Sequence, residues 1–354
     1  MVAYFKPGIV FSIVGRVASE VAVEIDLVAW GWMMLLRFEL TGFFILLFAL
    51  LSSCGKPTSN EELYHSPSIV NGVPAIKIGS FNLLRLGQVP KDSERMAKLI
   101  NKAEYHIFAG IEIMDQASAN NLLAKLREET SHDWQLILSS VPSGESTYKE
   151  FFGYFYRNDV VTPIDGHETF CNTSEGVDVH FAACFAKDHG SGNDHDFERD
   201  PFIGHFKVGR SEFSLVSVHL VYGGEEQEAV KRRQRELSSL KEVMKKVRSS
   251  TPQADVLAVG DFNLTLADDS SKSSKKMPKE FFSEAPSLGG LIKGATTVGM
   301  FSYDHILFFN DNKHLPIPGS EEVILDFDIN DAKDRTEYKK AVSDHFPVAA
   351  VLGL

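Results

Sequence analysis

From Ala75 onward, short runs of β-branched and aromatic residues alternate with longer stretches of helical periodicity. Continuously apolar or alternating runs indicate strands, and a period of 3.6 residues indicates helices. The predicted strands are 75–81, 106–111, 134–139, 151–157, 201–208, 213–219, 256–260, 303–308 and 347–352. The predicted helices are 93–102, 117–129 and 228–247.

Several predicted strands are apolar at nearly every position, as expected when both faces of a sheet are covered. The pattern therefore predicts an α/β (α+β) four-layer sandwich, in which two packed mixed β-sheets are flanked by helices. The helix at 228–247 carries the spaced charges Glu228/Arg232 and Glu236/Lys241, which predict a surface position.

The residues before this pattern are typical of a targeting segment. An apolar run at 43–51 follows Arg37 and precedes Ser52-Ser53-Cys54. The run is too short to span a bilayer comfortably but suits the apolar region of a signal peptide. Leu-Ser-Ser-Cys resembles a bacterial lipobox, which predicts a signal segment at 1–53 and lipidation of Cys54. The alternative is a short transmembrane anchor with an incidental cysteine.

A lipid on Cys54 would hold the protein at the bacterial cell envelope, facing the periplasm or the exterior. Residues 54–74 then form the lipidated cysteine and a polar tether, and residues 75–354 form a single domain. The first 32 residues contain Glu20, Glu24 and Asp26 and fit no signal peptide. Translation from Met33 or Met34 is therefore a further hypothesis.

Composition narrows the classes of function. The 354 residues are 44% hydrophobic, enough for one large core or two small ones, and the formal net charge is -12. An acidic surface argues against tight nonspecific coating of nucleic acid, but a bound divalent cation can supply positive charge in a nuclease. Cys171 and Cys184 are either a disulfide or two buried thiols.

Polar residues recur where the predicted strands end, which is where a scaffold can hold side chains around a cleft. They are Asn82, Glu112, His219, Asp261, Asn263, Asp304, His305, Asp344 and His345. Each alone is more often a turn former or a structural residue, but turns do not explain the whole set. Carboxylate oxygens suit a hard cation such as Mg²⁺, and histidines paired with carboxylates suit acid–base chemistry.

Three blocks resemble signatures of the endonuclease/exonuclease/phosphatase superfamily. They are Ser80-Phe81-Asn82, Gly260-Asp261-Phe262-Asn263 and Ser343-Asp344-His345-Phe346-Pro347-Val348, in the family's order. Segments 147–150, 197–202, 318–320 and 326–327 are similar to the DNase I branch. The resemblance implies a divalent-metal-dependent phosphodiester hydrolase, most similar to a monomeric DNase I-like endonuclease with DNA as substrate and Mg²⁺ or Mn²⁺ as cofactor.

The resemblance also implies a role for each residue. The metal would be bound by Glu112, Asp344, Asp261 and Asn263, and the phosphate by Asn82, Asn263 and Arg199. Asp344 and Asn82 could exchange these two roles, and Asp261 is also a catalytic residue. His345, oriented by Asp304, would activate water. His219, supported by Glu150, would protonate the leaving oxygen.

The sequence departs from the family pattern at two positions. Ile111 stands where the family usually has glutamine, and Met114 stands where DNase I places an arginine in the minor groove. Because minor-groove arginine contributes to duplex binding, the alternative is a sphingomyelinase-like enzyme acting on phospholipids or inositol phosphates. A non-catalytic module would have lost a core acidic or histidine position, and none is lost. The loop with Asn193, Asp194 and Asp196 is either a structural Ca²⁺ site or a solvated loop.

Overall fold

The computed structural model describes residues 68–70, 73–165, 171, 182–186, 197–224, 226–269, 275–326, 329 and 331–354. The chain divides into the units Met1–Leu63 and Tyr64–Leu354, and all described residues belong to the second. Cys54, the signal segment and the loop with Asn193, Asp194 and Asp196 lie outside the described residues. Within the described part, no helix is both long and apolar enough to cross a membrane.

The strands are β1 Ser68–Val70, β2 Val73–Leu86, β3 Ile107–Ile113, β4 Trp134–Leu138, β5 Phe151–Arg157, β6 Thr162–Pro163, β7 Ala183–Phe185, β8 Phe202–Val208, β9 Ser211–His219, β10 Asp255–Asp261, β11 Leu288–Leu291, β12 Asp304–Phe309, β13 Glu322–Val323 and β14 Val348–Gly353. The helices are α1 Ser93–Ala103, α2 Gln116–Thr130, α3 Gln227–Ser250, α4 Lys279–Ser283 and α5 Ala332–Ala341.

Two mixed sheets contain all of these strands. The first has the order β13-β14-β2-β3-β5-β4 with β1 paired to β2, and the second has the order β11-β12-β10-β9-β8-β6 with β7 paired to β8. β2 and β3 are parallel, as are β9 and β10, and the neighbouring pairs are antiparallel. The carboxyl ends of β2 and β3 therefore share one edge of the first sheet, and those of β9 and β10 share one edge of the second.

Three hydrophobic clusters separate four layers. One lies between the sheets and includes Ile78 of the first sheet and Val259 of the second. The other two join each sheet to its helices. Phe108 of the first sheet lies among residues of α1 and α2, and Ala258 of the second sheet lies with Leu240 of α3. This arrangement confirms the predicted four-layer α/β sandwich.

Helix α3 covers the outer face of the second sheet with one apolar stripe. Leu240, Val243 and Val247 recur at helical spacing, and all three are buried in the same cluster as Val256 and Ala258 of β10. Residues three and four positions apart lie on one side of a helix, so this stripe faces the sheet. The alternation along β10 then turns Val259 to the opposite face, toward the first sheet.

Every predicted strand and helix is present, with ends shifted by a few residues. The sequence pattern did not reveal the short strands β1, β6, β7, β11 and β13, or the helices α4 and α5. β1 and the start of β2 lie within the predicted tether, so the folded domain begins before Ala75. The structure pairs Cys171 with Cys184 in a disulfide whose Cα atoms are 5.6 Å apart.

The prediction that the charges of α3 lie on its surface is wrong for Glu236 and Lys241. Both are buried, with 2% and 4% of their surface exposed. The Lys241 ammonium donates to the carbonyl oxygens of Phe281 and Glu284, each at 2.8 Å. Buried charges are retained where hydrogen bonds replace water, and helical spacing alone does not show such partners.

Candidate active site

Most of the predicted site residues line one cleft of about 730 Å³, which is lined by residues of both sheets. Asn82, Glu150 and Asp304 are buried behind this lining. Its lining includes Glu112, Tyr148, Arg199, His219, Asp261, Asn263, Asp344 and His345. A larger cavity, of about 1260 Å³, is lined by the amino-terminal end of β2 and by α1. The smaller cleft is the candidate site because it collects the carboxylates and histidines, whereas volume alone implies no chemistry.

Gly260 allows the second sheet to bring two of these residues together. Its φ is +140°, and a Cβ atom there would lie 2.0 Å from the carbonyl oxygen of Val218. Because glycine alone tolerates this approach, β10 and β9 stay paired with Asp261 opposite His219.

His219 is held by a buried carboxylate. Its Nδ1 lies 2.8 and 3.0 Å from the two carboxylate oxygens of Glu150, which is completely buried. Burial raises the pKa of Glu150 to about 7, and burial and the charge of Arg199 lower the pKa of His219 to about 4. His219 is therefore a neutral imidazole at pH 7, the form that can accept a proton.

His345 forms the second pair. Its Nδ1 lies 2.8 Å from Oδ2 of Asp304, which also accepts a 2.7 Å hydrogen bond from Thr296 Oγ1. Burial alone would lower the pKa of His345, but the charges of Asp304 and Asp261 outweigh it and raise this pKa to about 10. In the absence of a cation, His345 is therefore protonated at neutral pH.

Asp261 lies between the two histidines. Its Oδ2 is 3.7 Å from Nε2 of His219 and 3.6 Å from Nε2 of His345. Its Oδ1 accepts a 2.8 Å hydrogen bond from the backbone N–H of Asn263, whose side-chain amide donates to the Leu220 carbonyl. Both imidazoles thus present Nε2 to one carboxylate at the centre of the cleft.

Glu112 completes the floor of the cleft with a left-handed backbone, φ +58°. Its Oε1 accepts from the Asn82 amide at 3.0 Å, and its Oε2 accepts from the Tyr148 hydroxyl at 2.9 Å. The same Asn82 amide lies 3.4 Å from Oδ2 of Asp261. A non-glycine residue in this conformation is strained, and such strain clusters at active sites and ligand clamps.

Arg199 and Asp344 have structural contacts that their predicted roles did not include. The Arg199 guanidinium donates to the carbonyl oxygens of His219 and Leu220, at 3.0 and 3.1 Å, and also lines the cleft. Asp344 forms a 3.0 Å ion pair with Lys339 at the edge of the cleft. His305 is outside the cleft lining and bonds to two backbone carbonyls.

The donor set fits a divalent cation. One ligand atom each from Asp261, Asp304 and His345 lies within 4.8 Å of the other two. Within the described part of the chain, the buried Oδ1 of Asp304 has no hydrogen-bond partner, which is costly unless a cation or another group satisfies it. Carboxylate oxygens favour a hard ion. Of the predicted carboxylate ligands, only Asp261 belongs to this group, and the Asn82 amide links Glu112 to Asp261 by hydrogen bonds.

Two residues that shape the site were missed by sequence analysis. Tyr148 lies two positions before Glu150 within a segment that resembles DNase I, so its position was a usable signal. Glu236 lies far from the site in sequence. Its two carboxylate oxygens accept from the backbone N–H groups of Glu198 and Val221, at 2.9 and 2.7 Å. It therefore ties together the segments that carry Arg199 and His219.

Comparison with known proteins finds similarity to deoxyribonucleases and to proteins of the same fold. The chain is 23% identical over 304 residues to Deoxyribonuclease-1 of Gallus gallus, covering 82% of this chain and 97% of the relative. It is 24% identical over 293 residues to a Deoxyribonuclease of Thioalkalivibrio, covering 77% and 70%. The structure of an endonuclease/exonuclease/phosphatase protein from Bacteroides vulgatus has a TM-score of 0.50 at 16% identity, covering 79% and 99%.

The chain belongs to the DNase I-like endonuclease/exonuclease/phosphatase superfamily. No protein-family model matches it. Both histidine–carboxylate pairs that the resemblance implied are present in the structure, with Asp261 between them. Because its relatives are deoxyribonucleases, this protein is a phosphodiester hydrolase.

We expect Glu236→Gln to weaken both the fold and the activity of this superfamily member. An amide can accept only one of the two backbone hydrogen bonds, so the free energy of unfolding should fall by about 1–3 kcal/mol. Misplacement of His219 should lower kcat by about 10-fold. Urea denaturation and initial rates measure the two effects. Glu242→Gln, an exposed change on the same helix, is the control. Unchanged rates would show that Glu236 does not position the site.

Proposed function

We propose that the protein is a divalent-metal-dependent endonuclease that hydrolyses DNA. The observation that carries this proposal is the symmetric approach of two carboxylate-backed histidines to Asp261, at 3.7 and 3.6 Å. Hydrolysis of a diester needs one group to accept a proton from water and another to donate a proton to the leaving oxygen. His219 and His345 provide these two groups on a rigid frame.

The pKa values of His219 and His345 differ in the cation-free site, and so do the protonation states of the two side chains. Without a cation, a pKa of about 4 leaves His219 neutral and able to accept a proton, and a pKa of about 10 leaves His345 protonated and able to donate one. A cation bound beside Asp261 would offset the negative charge of Asp261, which helps to hold the proton on His345. Binding of the cation would therefore change which histidine donates a proton and which accepts one.

Carboxylate oxygens of Asp261 and Asp304, with Glu112 nearby, would hold a Mg²⁺ or Mn²⁺ ion and leave Nε2 of His345 available for proton transfer. When bound, such an ion stabilises negative charge developing on the phosphate. The protein itself contributes Asn263 and Arg199, which line the cleft and would contact the phosphate oxygens. Asn82 is buried, and its amide holds the carboxylates of Glu112 and Asp261 in place.

DNA is the proposed substrate because the curated relatives are deoxyribonucleases. The cleft also presents cationic groups to a polyanion. The exposed Arg85 guanidinium stacks over the Tyr148 ring, 5.2 Å from its centroid, and both residues line the cleft. This pair offers a positive charge near Glu112 although Met114 replaces the arginine of DNase I.

A substrate panel tests the proposal. We expect nicking of supercoiled plasmid with Mg²⁺ or Mn²⁺, loss of nicking in excess chelator, and recovery when the ion is restored. RNA, sphingomyelin and phosphoinositides are assayed beside DNA under the same conditions. Hydrolysis of a lipid with DNA left intact would replace the proposed substrate by the phospholipid or inositol-phosphate alternative.

We also propose that a lipid on Cys54 holds the enzyme at the cell envelope. The support is the sequence alone: the apolar run at 43–51 and the lipobox-like Ser52-Ser53-Cys54. Cys54→Ser should move the protein from the membrane fraction to the soluble fraction after cell breakage. Retention of the variant in the membrane would contradict lipidation.

A further inference from the structure

One wall of the active-site cleft is aromatic. Tyr222, Phe301 and Tyr303 line the same cleft as the two histidines. Tyr222 and Phe301 are 54% and 44% exposed, whereas most large apolar side chains of the described residues are buried. The rings of Phe301 and Tyr303 stack with an interplanar angle of 3° and centroids 5.2 Å apart. The mechanism proposed above uses none of these rings.

The segment that carries Phe301 is fixed to the catalytic centre. The backbone N–H groups of Thr296 and Thr297 both donate to the Phe301 carbonyl, at 2.8 and 3.1 Å. The Phe301 N–H donates to Thr297 Oγ1 at 2.9 Å, and Thr297 pairs with His345 in a β-bridge. Because this network sets the place of Phe301 relative to His345, the ring is preorganised for a ligand in the cleft.

Lys275 defines the chemistry that this wall accepts. Its ammonium lies 5.4, 5.9 and 5.7 Å from the ring centroids of Tyr222, Phe301 and Tyr303. The protein's own cation thus occupies the position that a quaternary ammonium headgroup would take in an aromatic cage. Lys275 is buried and its ammonium donates to the Tyr303 hydroxyl at 3.4 Å, so a second cation such as choline is disfavoured at these rings. The exposed faces of Tyr222 and Phe301 instead suit a planar ring without positive charge.

We infer that Tyr222, Phe301 and Tyr303, which pack around the buried Lys275 ammonium, form a subsite that stacks on a nucleobase next to the scissile phosphate. This inference rests on the proposed nuclease function and refines its substrate class. A base can lie on Phe301 only when it is unstacked from its neighbours. The enzyme therefore prefers single-stranded DNA, or locally opened duplex, to intact duplex.

The same exposed rings could instead enter a lipid surface. The cleft position of Phe301, its stacking on Tyr303 and the net charge of -12 favour a nucleobase over a membrane. Binding to a membrane would use side chains that project from the surface, and anionic lipids would repel an acidic protein. Vesicle binding is therefore included in the test as a contrary outcome.

Two single-stranded oligodeoxynucleotides test the inference. They are identical except that one has abasic units on both sides of the central linkage, and kcat/KM is measured at that linkage with Mg²⁺. The wild type should favour the base-containing oligonucleotide by about 5- to 100-fold. Phe301→Leu, which keeps an apolar side chain without a ring, should bring this ratio close to one. Phe301→Tyr should retain the preference.

Each other outcome counts against the inference. A wild-type ratio near one, or an equal loss on both oligonucleotides in Phe301→Leu, overturns the stacking subsite and leaves the nuclease proposal intact. Failure to cleave any DNA overturns the proposed function and this inference with it. Binding to phosphatidylcholine vesicles that Phe301→Leu abolishes, with an unchanged oligonucleotide ratio, assigns the wall to a lipid surface.

Discussion

His345→Asn is expected to lower kcat for DNA hydrolysis by about 10²- to 10⁴-fold, the range for loss of a general acid or base. In the wild type, Nδ1 of His345 lies 2.8 Å from Asp304, and the asparagine amide can still donate to this carboxylate. It has no atom in place of Nε2, which faces Asp261 at 3.6 Å. The substitution therefore removes the proton-transfer atom and preserves the buried hydrogen bond. Initial rates on plasmid DNA measure the loss.

The molecule contains its own control for this change. Nδ1 of His314 lies 2.7 Å from Oδ2 of Asp255, so it forms a second histidine–aspartate pair that does not line the active-site cleft. His314→Asn should keep wild-type rates, and thermal unfolding should show that both variants are folded. If His345→Asn retained more than about a tenth of the activity, general acid–base catalysis at this position would be excluded.

The sequence predicted the layers well because strand and helix periods are local properties. The run Val256-Leu257-Ala258-Val259 must be buried on both faces, and its end places Asp261 at a sheet edge. Helix α5 was missed because its sequence is mostly charged and buries only Tyr338. A helix that contributes one anchor to the core leaves almost no periodic signal.

The site was predicted as a set of residues but not as a set of contacts. Strand-end polarity revealed Glu112 and Asp261, whereas the bond from Tyr148 to Glu112 spans 36 residues of sequence. Glu236 was misread as a surface charge because helical spacing cannot show that distant backbone N–H groups turn toward it. Such roles arise only when the fold joins separate segments.

Asp261→Asn is the second large expected effect, and it tests the cation as well as the chemistry. Asp261 is shared by the group of cation ligands and by both histidines. We expect kcat to fall by more than about 10²-fold, because the change removes the negative charge that lies between the two histidines and that would help to bind the cation. Mg²⁺ at 100 times its Kd should stabilise the wild type by about 2.7 kcal/mol and the variant far less.

Thermal unfolding with and without Mg²⁺ separates this effect from a general loss of stability. Asp268→Asn, at an exposed ion pair with Lys293, should keep the full Mg²⁺ stabilisation. Asp344→Asn should keep most of it, because Asp344 pairs with Lys339 and lies outside the three-residue ligand group. Loss of the stabilisation in Asp344→Asn but not in Asp261→Asn would contradict the group of Asp261, Asp304 and His345, because Asp344 would then bind the cation and Asp261 would not. The cation would then lie at the Lys339 side of the cleft instead of between the two histidines.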